Sequence, residues 1–451
     1  MTLLDDLRQE ARETAIIGLG KSGVAAGLLL RDHAVPVYAS EIRDSDTTQR
    51  WAGTLRAAGA DVELGAHDLA RIARAGTVIV APGVPPEAPP IRAAAEARVP
   101  ILAEVDLGFT ALPTTKFVAL TGTNGKTTTT SLVAHLMTAT GFDAVAAGNI
   151  GLPLSVVARR ATPPAWVALE LSSFQLHDSP HITPQVGVLL NLSSNHLDRY
   201  HSIEEYFGDK ALLFRNADAG SVSVSNADDA AVQAIMKSVP GRHLHFSVQE
   251  RADAWYDRAG GWLMLGGDRL LERGRLPLLG DHNIANALVA GMVLRELGAS
   301  LDGIASGLTT FRAIPHRVEP VREVNGVLWI NDSKSTNVTS TEVAIAALDR
   351  PFVLLLGGRH KGEPYSKLGP LLRPRCRAVV AYGESGDQVE RDLHGAVRVV
   401  RAGTFTNVVE TAASLAQRGD AVLLSPACSS YDMFNNYEER GATFRALVEA
   451  L

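Results

Sequence analysis

The segment Thr121-Gly122-Thr123-Asn124-Gly125-Lys126-Thr127 is the feature that most narrows what this chain can fold into. It follows the apolar run Phe117–Leu120, so a buried strand is expected to turn into a helix at the glycines. Glycine lets backbone N–H groups close around phosphate oxygens, and the helix N-terminus adds positive potential. Lys126 would reach the β- and γ-phosphates of a nucleotide, and the Thr127 hydroxyl would face Mg²⁺. Gly122, Thr123, Asn124, Gly125 and Thr128 complete the expected cradle. The loop departs from the standard GxxxxGK[ST], because Leu120 stands where the first glycine would be. A chance lysine in a glycine-rich turn is the competing reading. It is weakened by composition: the chain has eight lysines against 35 arginines, so a lysine inside a motif is not filler.

Around this loop the chain alternates strands and helices. Ala15–Gly20, Val35–Ser40 and Thr77–Ala81 read as strands separated by alanine-rich helical stretches, the pattern of a parallel sheet. Strands follow at Trp166–Leu171 and Val186–Asn191, with a long apolar-faced helix at Asn283–Leu297. The α/β pattern resumes at Val327–Asn331, Phe352–Leu356, Ala378–Tyr382 and Ala421–Ser425. At 451 residues, two to four domains are expected. Breaks near Pro113 and Phe311–His316 give three α/β domains, 1–112, 113–313 and 314–451. The first and last are expected to be Rossmann-like and the central one a P-loop-type ATPase domain. Gln249–Gly267 reads as a sheet-rich surface of the central domain.

Composition excludes several classes. A net charge of −6 argues against a general nucleic-acid binder. No apolar run reaches the roughly 20 residues needed to cross a bilayer, and the charged N-terminus lacks a signal-peptide core. Two cysteines, Cys376 and Cys428, allow no disulfide framework. A cytoplasmic, monomeric protein without membrane insertion is expected.

Two further constellations carry chemistry. Glu170 ends the strand after the phosphate loop, where a carboxylate can hold Mg²⁺, and His196 lies in Asn195–Tyr200 at another strand end. Taken singly, each could equally be a solvated or capping residue. In the first domain, Gly18-Leu19-Gly20-Lys21-Ser22-Gly23 fits GxGxxG after a strand, with Glu41 about 20 residues later. Alone this suggests an NAD-dependent oxidoreductase. No separate hydride-transfer site is found, and the same loop can hold the diphosphate of a UDP-sugar.

Together these segments resemble the Mur ligase family over essentially the whole chain. The resemblance rests on Thr121–Thr127, Glu170, His196–Arg199, Asp281–Asn286, His316-Arg317 and Asn331–Asn337. It implies a UDP-substrate domain, a central ATPase domain and a closing C-terminal domain, with a hinge near Ile314–His316. The chemistry it implies is attack of a substrate carboxylate on the γ-phosphate of ATP. An amino acid then displaces phosphate from the acyl phosphate. Catalysis is assigned to Lys126, Glu170, His196, Lys210 and Lys334. Two Mg²⁺ ions are assigned to Thr127, Glu170, His196 and Lys210, the last as a carbamylated lysine. Asn283, Asn286, Arg317 and Asp332 would contact ATP. The diphosphate loop would use Gly20, Lys21 and Ser22. Glu41 and Arg43 would lie near the uracil, with Pro82, Gly83, Asn149 and Ser172 nearer the sugar and diphosphate.

The Asn-Asp-Ser-Lys-x-Thr-Asn motif and Ser425–Asp432 look like those of members that add D-glutamate to UDP-N-acetylmuramoyl-L-alanine. Thr336, Lys361, Ser430 and Tyr437 would then gather around glutamate. Tyr437 stands where phenylalanine is common, and the Gly357–Lys361 loop differs from commoner lysine-bearing loops. No motif separates D- from L-glutamate, and another ligase of the family is the alternative. The diaminopimelate-type Asp-Asn-Pro-Arg motif is absent. A non-catalytic scaffold would be expected to lose the metal ligands, and all of them stand.

Overall fold

Thr14–Ile17 is apolar apart from its first residue and buried along its whole length, as a strand covered by helices on both faces must be. It lies at the centre of a five-stranded sheet. The order is Asp61–Leu64, Val37–Glu41, Thr14–Ile17, Thr77–Val80, Ile101–Ala103, and all neighbours are parallel. Strand order reverses between Thr14–Ile17 and Thr77–Val80, the switch point at which doubly wound sheets place ligands. Two of these strands, Asp61–Leu64 and Ile101–Ala103, escape sequence reading because they are short and only partly apolar.

The computed structural model describes residues 3–193 and 200–451. These divide into two compact units, Met1–Arg273 with Ala285–Thr309, and Gly274–Ile284 with Thr310–Leu451. The first unit contains the five-stranded sheet and a nine-stranded one. In the latter, Lys116–Thr121 lies between Val186–Leu189 and Trp166–Glu170. Six parallel strands continue through Val222–Asn226 and Arg242–Ser247, and Ala254–Asp257 joins them in parallel. Trp262–Leu265 and Asp268–Glu272 close the edge in antiparallel fashion, which accounts for the sheet-rich reading of Gln249–Gly267.

The second unit holds a six-stranded sheet. Phe352–Gly357 lies between Ala421–Leu424 and Cys376–Tyr382, and only Glu319–Val324 runs antiparallel. Its central strands are buried end to end, so their sequences read as continuous apolar runs.

The long helix is Asp281–Glu296. It was expected to be apolar on one face, but Ala287–Leu294 is buried on every side. Alanine and glycine make this possible: a thin helix can be surrounded without losing packing density. No helix among the described residues is long and apolar enough to cross a membrane.

Candidate active site

The phosphate loop begins where Lys116–Thr121 ends. Gly125 occupies the N-cap of the helix Lys126–Ala139 with φ +80°, a left-handed conformation that favours glycine. A Cβ there would also press within 2.9 Å of the Asn286 Oδ1. Gly125 gives this helix no side-chain cap hydrogen bond, as expected where a helix N-terminus is to receive an anion. Asn191, not singled out from sequence, grips the loop from the neighbouring strand end. Its Oδ1 accepts from the Asn124 N–H at 2.8 Å and its Nδ2 donates to the Asn124 carbonyl at 3.0 Å. Thr129 donates to the Asn286 Oδ1 at 2.9 Å, so Asn286 does meet this helix, one turn beyond the loop.

Lys126 folds back over the loop. Its Nζ donates to the carbonyls of Gly122 at 2.8 Å and Thr123 at 2.9 Å. Lys210 donates to the same Gly122 carbonyl at 2.8 Å, and its Nζ lies 4.7 Å from the Tyr206 ring centre. Lys210 is fully buried. Burial, reinforced by the nearby Lys126 charge, pushes its amine down to about 6, so the free base is accessible near neutral pH.

Glu170 sits opposite Leu120 in the parallel register, beside the loop. Its Oε1 accepts from the Asn149 amide at 2.9 Å, while its Oε2 is buried without a hydrogen-bond partner. An orphaned carboxylate oxygen is costly to bury, and a cation beside it would remove the cost. Glu170 and Asn149, expected to act on metal and substrate respectively, are thus brought into direct contact. His196, the remaining expected metal ligand, lies outside the described residues. Ser172 has a local role: its hydroxyl accepts from the Gln175 N–H at 3.2 Å as one half of a capping box.

In the first sheet, the helix Lys21–Asp32 starts at Gly20 with no side-chain cap. Gly23 packs so closely that a Cβ would collide with the Gly18 carbonyl oxygen. The Glu41 carboxylate accepts from the Leu19 N–H at 3.0 Å and from the Arg43 N–H and Nε at 3.1 Å. Burial raises its pKa, but these bonds outweigh it and hold the carboxyl below its ordinary range. Glu41 therefore braces the glycine loop as well as bordering it. A cavity of about 360 Å³ opens beside the Thr77–Val80 strand end, lined by Pro82, Val84, Phe174, Gln175 and Tyr200 among others.

In the second unit, Asp332 is buried and accepts from the Val318 N–H at 3.1 Å and the Ser425 hydroxyl at 2.7 Å. Burial pushes its carboxyl up to about 6 against these bonds. Asp332 was expected to touch nucleotide; both of its oxygens are engaged in holding loops. Lys361 donates to the Thr336 hydroxyl at 3.2 Å, joining two expected glutamate contacts. Ser430 is buried on the neighbouring loop. The Lys334 amine stands over the Tyr437 ring, 3.9 Å from its centre. Asn283 donates to the Leu279 carbonyl at 2.8 Å.

The chain aligns with a "UDP-N-acetylmuramoylalanine–D-glutamate ligase" from Salinibacter ruber at 40% identity, over 98% of this chain and 99% of that one. The chain belongs to the Mur ligase family. Three family models match in order: the MurD-like N-terminal domain over residues 12–103, the Mur ligase middle domain over 120–294, and the Mur ligase glutamate ligase domain over 316–428. A Myxococcus xanthus protein of the same name is 38% identical over 99% of this chain and all of its own. Among solved structures, the fold resembles a UDP-N-acetylmuramate-alanine ligase from Thermotoga maritima, with TM-score 0.62 at 19% identity, covering 97% of this chain and 99% of that one. A pseudomurein peptide ligase from Methanothermus fervidus superposes with TM-score 0.60 at 18% identity, with the same coverages. This Mur ligase therefore has the three family domains and mixed α/β sheets anticipated from its motifs.

Proposed function

We propose that this Mur ligase joins the L-alanyl carboxylate of UDP-N-acetylmuramoyl-L-alanine to the amine of D-glutamate, converting ATP to ADP and phosphate. The product is a peptidoglycan precursor, made in the cytoplasm for cell-wall growth. The observation that carries this reading is the set of near full-length relatives, 34–40% identical, that share one ligase name. Domain borders at 1–112, 113–313 and 314–451 belong to the same proposal; the family models match 12–103, 120–294 and 316–428.

In the proposed sequence, the substrate carboxylate attacks the γ-phosphorus and ADP leaves, giving an acyl phosphate. The amine of glutamate adds to the acyl carbon, phosphate leaves from the tetrahedral intermediate, and the new amide loses its proton. Such steps depend on charge neutralisation and positioning more than on a protein nucleophile. Lys126 is well placed for this: phosphate oxygens would replace the two loop carbonyls as its acceptors. Lys334 would attract the acyl-phosphate oxygens. Thr336, Lys361, Ser430 and Tyr437 would bind glutamate, while Glu41, Arg43, Gly20 and Pro82 would border the UDP moiety.

The orphaned Glu170 oxygen and the Thr127 hydroxyl fit an oxygen-seeking Mg²⁺, with His196 and a carbamylated Lys210 serving a second ion. When bound, Mg²⁺ supplies charge neutralisation on the transferring phosphoryl group. The depressed amine of Lys210 supports carbamylation, because only the free base adds CO₂.

Phosphate release from ATP and UDP-N-acetylmuramoyl-L-alanine, compared with D-glutamate, L-glutamate, L-lysine and diaminopimelate, tests the reading. D-glutamate-dependent release with a matching amide product supports it. Release with a different amino acid alone would keep the family and discard the specificity.

A further inference from the structure

Arg440 lies on the helix Tyr437–Glu449 and is fully buried, among the largest side chains with no solvent exposure. A helical arginine near a chain end would ordinarily be solvated. Here its guanidinium is spent on two loops. Nε donates to the Ser333 hydroxyl at 2.9 Å, and Nη2 to the Ser333 carbonyl at 2.8 Å. Nη1 and Nη2 both donate to the Cys428 carbonyl at 3.2 Å. The Ser333 hydroxyl in turn donates a hydrogen bond to the Tyr437 carbonyl at 2.8 Å, returning to the first turn of the same helix.

Ser333 adjoins Lys334 and is three residues from Thr336, and Cys428 is two residues from Ser430. One rigid fork thus fixes the spacing between the loop carrying Lys334 and Thr336 and the loop carrying Ser430. A third loop, which carries Arg359 and Lys361, is tied to the second by the Arg359 N–H, which donates to the Ser429 carbonyl at 2.9 Å. It is tied to the first by Lys361 through Thr336. Among the described residues, Arg440 forms no ion pair with a carboxylate. Burying a guanidinium against neutral carbonyls alone is expensive, and an apolar residue of similar volume would fill the space at less cost. The fork geometry of arginine, which lysine lacks, is what two carbonyls and a hydroxyl on separate loops require.

We infer that Arg440 is a positioning residue for the amino-acid half of the site. It sets the separation of Thr336 and Ser430, which would receive the amino acid. This rests on the ligase reading above.

The test is steady-state kinetics of phosphate release with each of the three substrates varied in turn, alongside thermal unfolding. Arg440→Lys, which keeps the charge but loses the fork, is expected to raise KM for D-glutamate at least tenfold. KM for ATP and for the UDP-substrate should stay within twofold. Ser333→Ala, which removes one acceptor and leaves the carbonyl bonds, is expected to shift KM for D-glutamate in the same selective way by about threefold. A purely structural role would lower the active fraction and hence kcat without separating the three KM values. An unchanged glutamate KM, an equal change in all three, or failure of both variants to fold would overturn the inference. If the wild-type protein releases no phosphate with any amino acid, the ligase reading falls, and this inference falls with it. Wild-type turnover with unselective variants sinks the inference alone.

Discussion

The Lys334 amine sits 3.9 Å from the centre of the Tyr437 ring, although 103 residues separate them in the chain. The ring face attracts the ammonium and limits where this long side chain can reach. The phenol is pushed up to about 12, chiefly by burial, so it stays neutral across assay pH. Tyr437→Phe keeps the ring and should retain activity within about threefold. Tyr437→Leu forfeits an interaction of about 0.5–2 kcal/mol and should lower kcat/KM roughly 2- to 30-fold. Comparable loss in both variants would show that the hydroxyl, not the ring, matters.

Lys126 now satisfies its amine on two loop carbonyls. Lys126→Met should lower phosphate release by a factor on the order of 10² to 10³, the usual cost of one lost electrostatic contact to a developing charge. The protein should remain folded by circular dichroism. Near-wild-type turnover would remove Lys126 from the nucleotide site.

Lys210 should carry a carbamate. ¹³C NMR after incubation with ¹³C-bicarbonate is expected to show one carbamate resonance that Lys210→Arg abolishes. A spectrum identical in both proteins would refute the modification.

Glu104 is fully buried, accepts from the Ser155 N–H at 2.7 Å, and leaves its Oε2 without a partner. Burial pushes its carboxyl up to about 7. A raised folded-state pKa means its contribution is full below the unfolded value near 4.5 and is lost as pH rises through about 7. Glu104→Gln should therefore raise the unfolding midpoint at pH 8, by up to about 3 kcal/mol of stability. At pH 5 the two proteins should differ little. Equal shifts at both pH values would mean that charge burial is not the cause.

Gly23 cannot accept a Cβ without displacing the Gly18 carbonyl, which belongs to the turn facing the expected diphosphate. Gly23→Ala should weaken UDP-substrate binding at least tenfold or unfold the first sheet. Calorimetric titration with the UDP-substrate, read beside thermal unfolding, distinguishes these outcomes. Unaltered binding by a protein of unchanged stability would contradict the packing described.

The most legible parts of the site were local in sequence. Gly122–Thr127 could be read because strand, turn and helix N-terminus follow one another within a dozen residues. Two shorter strands, Asp61–Leu64 and Ile101–Ala103, were not, since few apolar positions mark them. Ser172 and Asp332 were recognised, yet their contacts in the structure are a helix cap and a loop anchor. A motif identifies a residue type at a position, but its hydrogen bonds depend on neighbours far along the chain. Asn191 illustrates the converse: its hold on Asn124 spans 67 residues and has no local signal.

By itself the sequence determined the α/β class, the glycine-lysine loop that can cradle phosphate, and the family to which the chain belongs. All three follow from short-range pattern and order. Only the tertiary structure decided that Lys210 would be buried against the Gly122 carbonyl, that Glu170 would keep an oxygen unpartnered, and that Arg440 would join two loops. Desolvation and hydrogen-bond geometry arise only when distant segments pack together, and these are what turn ordinary side chains into a site.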